Sequence, residues 1–174
     1  MPHHTLFHVS EEEGIERFEP RAGGVAGAES SEPVVWAIDA ARLRNYLLPR
    51  DCPRVTFYAG NKTTNEDAER LLGASTAVVA IEHGWLERLR SCRLYCYGLP
   101  GETFRCVDEC AGYFVSPVAV VPTTITLITD PISELARQGV ELRIMPTLWP
   151  LRDAVVASTL QFSIIRMRNA LPRD

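Results

Sequence analysis

Apolar positions recur along this chain in short runs, and the spacing inside each run predicts a series of small elements. Thr5–Ser10 is a short β-prone run, followed by the acidic Glu11–Glu13 and an amphipathic turn over GIERFEPR. Residues 22–33, AGGVAGAESSEP, are rich in Gly, Ala and Ser and end in Pro, the composition of a mobile surface loop. Val34–Ile38 reads as a second strand. Asp39 then sits as the N-cap of a helix over AARLRNYLL, where Leu43, Tyr46 and Leu47 fall on one face. Pro49 stops that helix. Arg54–Tyr58 reads as a strand, Asn61–Asn65 as a polar turn, and Asn65 as the cap of a helix running through Glu69 to Leu72.

From there the pattern is mainly β. Thr76–Glu82 reads as a strand, Gly84–Arg90 as a short helix, and Arg93–Leu99 as a strand ending at Pro-Gly. Tyr113–Ser116 and Val118–Val121 are strand-like with Pro117 between them, as in an edge or a bent strand. Asp130 caps a helix near Pro131–Gln138 that Gly139 closes. Val140–Ile144 is the next strand. Thr147 and Pro150 open a helix over Leu151–Thr159, with proline at an early position where its missing donor costs nothing. FSIIRMR alternates as a last strand would. Strands outnumber helices without alternating strictly with them, so the fold class is α+β, in one domain over residues 1–174.

Composition narrows the function classes. Hydrophobic residues are 46% and charged residues 23% of the 174, an ordinary globular balance with enough chain to bury a core without staples. The net charge of −4 disfavours general nucleic-acid binding through phosphate contacts. Residues 11–32 are acidic, whereas Arg166, Arg168 and Arg173 make the C-terminal region basic, so a local anion site stays open. No window reaches the roughly 18 consecutive apolar residues of a membrane helix. The start, MPHHTLFHVSEEE, has no basic region followed by an apolar stretch, as a secretory signal would. The odd count of five cysteines fits reduced thiols in the cytosol. Cys92, Cys96, Cys106 and Cys110 have the spacing C-x3-C-x9-C-x3-C, but CRLYCYGL reads as a strand. Strand residues four apart lie about 13 Å from each other, too far to share a zinc ion. Buried small hydrophobes are the plainer reading, with no metal.

Three polar groupings stand out. His8 and Ser10 share one side of the LFHVS strand, and a side carrying imidazole and hydroxyl together is not expected to be plain core. A hydrogen-bonded structural histidine is the alternative. Trp36 in VVWAID and Tyr46 ten residues on offer flat faces that would sandwich a ring, unless both simply pack inside. In LLPRDCPRVTF, Arg50, Asp51 and Arg54 crowd a Pro-bounded loop that suits either phosphate recognition or a salt-bridge knot. Arg152 and Asp153 in WPLRDA repeat the ambiguity. No phosphate loop, dinucleotide glycine fingerprint, H-E-x-x-H or G-x-S-x-G occurs in the chain.

Taken together, these segments show a resemblance. Nearly the whole chain resembles an uncharacterised family of small bacterial proteins marked by H-x-S-E-E, P-R-D-C-P-R-V and W-P-L-R-D-A. LFHVS with GIERFEPR, VVWAIDAARLRNYLL and AGYFVSPVAVVP resemble, in order and spacing, three motifs of ADP-ribosyltransferase-fold proteins. That second resemblance implies a split β-sheet core with short flanking helices, a short helix after the first strand, and NAD as cofactor. It implies that His8 bonds a nicotinamide-side ribose hydroxyl, that Ser10 sits near the carboxamide and that Tyr46 stacks on the nicotinamide. Trp36, Arg50 and Arg54 complete the expected ligand set. The catalytic Glu of that fold would fall at Gly112, leaving Glu109, or Asp108, to enter through a bulge or loop. Arg21, Arg50 and Arg54 keep open the chemistry of RNA 2′-phosphotransferases, relatives that act without this Glu. The implied function is an NAD-dependent ADP-ribosyl or RNA 2′-phosphate transferase; the alternative is a non-catalytic nucleotide- or protein-binding domain of the same fold. The implied partner is a nucleotide-type small molecule.

Overall fold

The computed structural model describes residues 5–22, 32–109 and 111–173. The expected loop at 22–33 falls almost wholly outside the described residues, as does Cys110. The chain divides into two compact units, each made of two stretches of sequence: residues 1–43 with 94–128, and residues 44–93 with 129–174.

The first unit is a six-stranded sheet in the order β6-β7-β2-β1-β5-β8, every neighbouring pair antiparallel. Its strands are β1 (Thr5–Ser10), β2 (Val35–Ile38), β5 (Leu94–Pro100), β6 (Arg105–Asp108), β7 (Tyr113–Ser116) and β8 (Thr124–Ile128). Strand alternation puts Leu6, Val35, Ala37, Tyr95, Tyr97 and Leu99 on one face, where they pack with Phe18 and Val120 as a core. GIERFEPR forms neither the amphipathic turn nor the helix that the resemblance implies. It runs extended, and Phe18 makes an isolated bridge to Val120. Burying the Phe18 ring against Tyr97, centroids 5.2 Å apart, outweighs the weak helical tendency of so short a segment.

The second unit holds a four-stranded sheet in the order β10-β3-β4-β9. β3 is Arg54–Tyr58, β4 Ala77–Glu82, β9 Val140–Met145 and β10 Gln161–Ile165. β4 and β9 are parallel and the other two pairs antiparallel. Val55, Phe57, Val78 and Ala80 on one face pack against Leu71, Leu72, Leu148, Leu151 and Val155. The helices are short: α1 (Asn65–Asp67), α2 (Leu86–Ser91), α3 (Pro131–Arg137) and α4 (Trp149–Val156).

The α+β class therefore stands, with two mostly antiparallel sheets and few helices. Several local expectations shift. The helix after Asp39 is a 3-10 helix over Ala40–Tyr46. Thr64, not Asn65, caps the next helix, its hydroxyl accepting from the Asp67 amide, and a π turn over Ala68–Leu72 follows α1. Val118–Val121 forms no strand beyond the bridge at Val120, and Tyr113–Ser116 lies inside the sheet between β2 and β6 rather than at its edge. β6 and β8 have no clear pattern in the sequence.

Candidate functional site

β1 is central in the first sheet, with β2 on one side and β5 on the other, so its side chains meet the densest part of that unit. The face carrying His8 and Ser10 is the core face, contrary to expectation, because both share the strand side of the buried Leu6. His8 is half-buried, its ring centroid 4.8 Å from that of Phe18. Its Nδ1 lies 3.1 Å from the Trp36 carbonyl. A carbonyl only accepts, so Nδ1 carries the proton of this hydrogen bond. The Ser10 hydroxyl accepts from the Glu12 amide at 3.1 Å and ties off the strand end. Tyr97, opposite His8 on β5, donates its hydroxyl to the Glu12 carbonyl at 2.7 Å and accepts from the Ile15 amide. Trp36 lies on the reverse face, half-buried, edge-on to Tyr113 with centroids 5.9 Å apart.

A polar junction lies where β2 ends. The Asp39 carboxylate accepts from the Arg42 amide at 2.8 Å, as the expected N-cap, and pairs with the Arg42 guanidinium at 3.1 Å. Arg42 also donates to the Glu109 carbonyl at 3.1 Å, and the Asp39 amide donates to the Gly112 carbonyl at 3.1 Å. Gly112 has φ +66°, and a Cβ there would come within 2.8 Å of the Asp39 carboxylate. A glutamate at this position would need both an unfavourable backbone conformation and the space that Asp39 fills. Glu109 itself is exposed in the turn after β6. A bulge between Cys106 and Asp108 interrupts the regular alternation just before it.

Tyr46, Arg50 and Arg54 belong to the second unit. Arg44, Asn45 and Tyr46 run along the face of β3 opposite the core: the Arg44 guanidinium lies 4.7 Å above the Tyr58 ring, and that of Arg54 5.7 Å from the Tyr46 ring. Arg54 is 3% exposed. Its guanidinium donates to the carbonyls of Asn45 at 3.2 Å, Cys52 at 2.8 Å, and Pro49 and Arg50 at 3.4 Å each. The salt-bridge knot of the PRDCPR loop is thus a cage of carbonyls around one cation, and Asp51 pairs instead with Arg166 at 3.8 Å. Arg50 is exposed, and its carbonyl also accepts from Arg166. Asn45 Oδ1 and Thr56 Oγ1 are buried without a hydrogen-bond partner among the described residues.

Two participants escaped the sequence reading. Arg42 stands three residues after Asp39, a spacing that suits a local ion pair. Glu82 ends the otherwise apolar AVVAIE strand, and an acid closing a wholly buried run is a signal in itself. It is 2% exposed and accepts from the Leu148 amide at 3.3 Å and the Leu171 amide at 3.0 Å. Arg173 pairs with Asp153 and lies 5.3 Å from the Trp149 ring, while Arg152 meets Asp153 at 3.0 Å. WPLRDA therefore helps seat the C-terminal segment. Cys92 and Cys96, the first two of the zinc-like set, belong to different units, and the four described cysteines are free thiols. No group of metal-ligating side chains occurs among the described residues.

The sequence model of a family of unknown function, DUF6886, matches residues 7–170. The chain belongs to the DUF6886 family. The match takes in all three stretches that mark the small-protein resemblance, from His8 to Ala154. No curated protein and no solved structure matches this DUF6886 chain. Among the described residues, no helix is long and apolar enough to cross a membrane.

Proposed function

We propose that this protein binds an NAD-type nucleotide through an ADP-ribosyltransferase-like arrangement of β1, β2 and β7, as a binding domain without glutamate-assisted transfer. The observation that carries the reading is adjacency. The three segments on which that resemblance rests are distant in sequence, yet they form neighbouring strands in the order β7-β2-β1. His8 would bond a nicotinamide-side ribose hydroxyl, with the Trp36 carbonyl holding the ring orientation, and Ser10 would lie near the carboxamide. Gly112 explains the loss of the acid: its positive φ and the Asp39 carboxylate leave a glutamate no place there.

A second reading keeps the transfer chemistry. The bulge between Cys106 and Asp108 is the kind of irregularity that re-aims a neighbouring side chain, and Glu109 follows it directly. One pair of measurements separates the two. Isothermal titration with NAD and with ADP-ribose is expected to show binding by the wild-type chain. His8→Ala should weaken it about five- to a hundredfold, the worth of one hydrogen bond in a partly buried site. Nicotinamide release from bound NAD is expected to be nil over hours; release that Glu109→Gln abolishes would establish the transferase reading instead. No binding at millimolar ligand removes both.

A further inference from the structure

The six-stranded sheet has two ends, and they are built differently. β6, at one end, is four residues long, carries Arg105 and Asp108, and contains a bulge between Cys106 and Asp108. Short length, charge and a bulge are the devices by which a sheet edge refuses a further strand. β8, at the other end, has none of them. Thr124–Ile128 reads TITLI, four of its five residues are β-branched, and no charged residue occurs anywhere from Ser116 to Thr129. Pro122 and Pro131 lie outside the strand, so every residue in it keeps its backbone donor.

The side chains repeat the message. Pairing with β5 sets Ile125 opposite Tyr97 and Leu127 opposite Tyr95, on the face that packs the core of this unit. The core does not extend over them: Ile125 is 53% and Leu127 42% exposed. Val118 and Val121 are exposed as well, so four large apolar side chains stand open between positions 118 and 127. Single exposed apolar residues are ordinary, but a group of them on and just before a strand that ends the sheet among the described residues is a contact surface.

We propose that β8 is a dimerisation edge, onto which β8 of a second copy of this chain adds in the antiparallel sense about Thr126. Antiparallel addition about one residue is the isologous two-fold arrangement. It sets Ile125 of each copy opposite Leu127 of the other and Thr124 opposite Ile128, so the two exposed apolar rows join into one strip. Charge selects the second copy over a foreign strand. Residues 116–129 carry no charge, so two copies meeting there set no like charges against each other in a chain of net −4. A charged partner strand would find no ion pair here, while an identical strand sets Ile125 against Leu127 and Thr126 against Thr126. The proposal stands apart from the nucleotide reading and does not depend on it.

Sedimentation velocity of the full chain from low micromolar to near-millimolar concentration tests it. The wild type should show a concentration-dependent monomer–dimer equilibrium. Ile125→Lys, a charge placed on the edge, should weaken the dimer at least about tenfold while the circular dichroism spectrum and melting stay those of a folded chain. Should that variant fail to fold, Thr126→Cys in a Cys106→Ser background supplies an independent readout. Across the two-fold the two 126 positions face each other within the span a disulfide bridges, so mild oxidation should give a covalent dimer. A wild-type chain that stays monomeric throughout overturns the proposal. So does a folded Ile125→Lys variant that dimerises like the wild type, or a folded Thr126→Cys variant that forms no cross-link.

Discussion

The second unit encloses two charged side chains, Arg54 and Glu82, whereas His8 and Asp39 in the first stand half-buried. Arg54 is buried with its guanidinium among the carbonyls of Asn45, Pro49, Arg50 and Cys52, and Glu82 is buried under the amides of Leu148 and Leu171. In both, main-chain groups replace the water that an ion loses on burial, and the side chain fastens loops to a sheet. His8 and Asp39 are only half-buried, His8 bonded to the Trp36 carbonyl and Asp39 paired with Arg42. A charge enclosed by main chain is committed to the fold. A half-buried group stays within reach of water, and so of a ligand. The contrast teaches which polar residues to read as structure, and it moves the emphasis of the ligand set from Arg54 toward His8.

The strongest way to break this contrast is Arg54→Ala. It leaves a buried set of carbonyls without donors, and the expected loss is about 3–5 kcal/mol in denaturant unfolding, because a buried ion is removed from partners that cannot follow it. A loss under about 1 kcal/mol would mean that the cage is not what holds the PRDCPR loop. Arg54→Lys keeps the charge but not the planar fork, and should recover only part of the stability.

A smaller effect sharpens the description of the first unit. Gly112→Ala should cost about 2 kcal/mol, from a left-handed backbone and from crowding against the Asp39 carboxylate. Adding Asp39→Ala removes the crowding but not the strain, so the two changes together should cost less than their sum. Strict additivity would show that Asp39 does not reserve the space beside Gly112. A neutral Gly112→Ala would reopen that position to a side chain.

The mildest effect lies in pH. Burial pushes the Cys52 thiol from its ordinary 9.0 up to about 12, with the Arg54 charge pulling the other way. The folded chain therefore favours the neutral thiol. That preference stabilises the fold fully below pH 9 and is lost as pH rises from 9 toward 12. At about pH 10 the loss is on the order of 1 kcal/mol relative to neutral pH, and Cys52→Ala should lack that share of the alkaline decline. Identical declines in the two proteins would show that the thiol is solvated rather than enclosed.

Local chemistry was enough to set out much of the framework. The β-branched run of Arg54–Tyr58, the apolar run ending at Glu82, Asp130 before Pro131 and the alternation near Gln161–Ile165 each state their structure within a few residues, since propensity and capping act at short range. β6 and β8 stayed hidden because both are short and neither carries a buried side to impose a period. The His8 face was misjudged for a related reason: polar letters at positions 8 and 10 do not show that Phe18 lies against the imidazole ring. Nor does a proline-bounded run of Arg and Asp disclose that Arg54 turns inward to carbonyls while Asp51 pairs with Arg166. The sequence alone determined most of the strands, the α+β class and the family. Only tertiary structure decided which polar groups are enclosed, because enclosure depends on what arrives from distant parts of the chain.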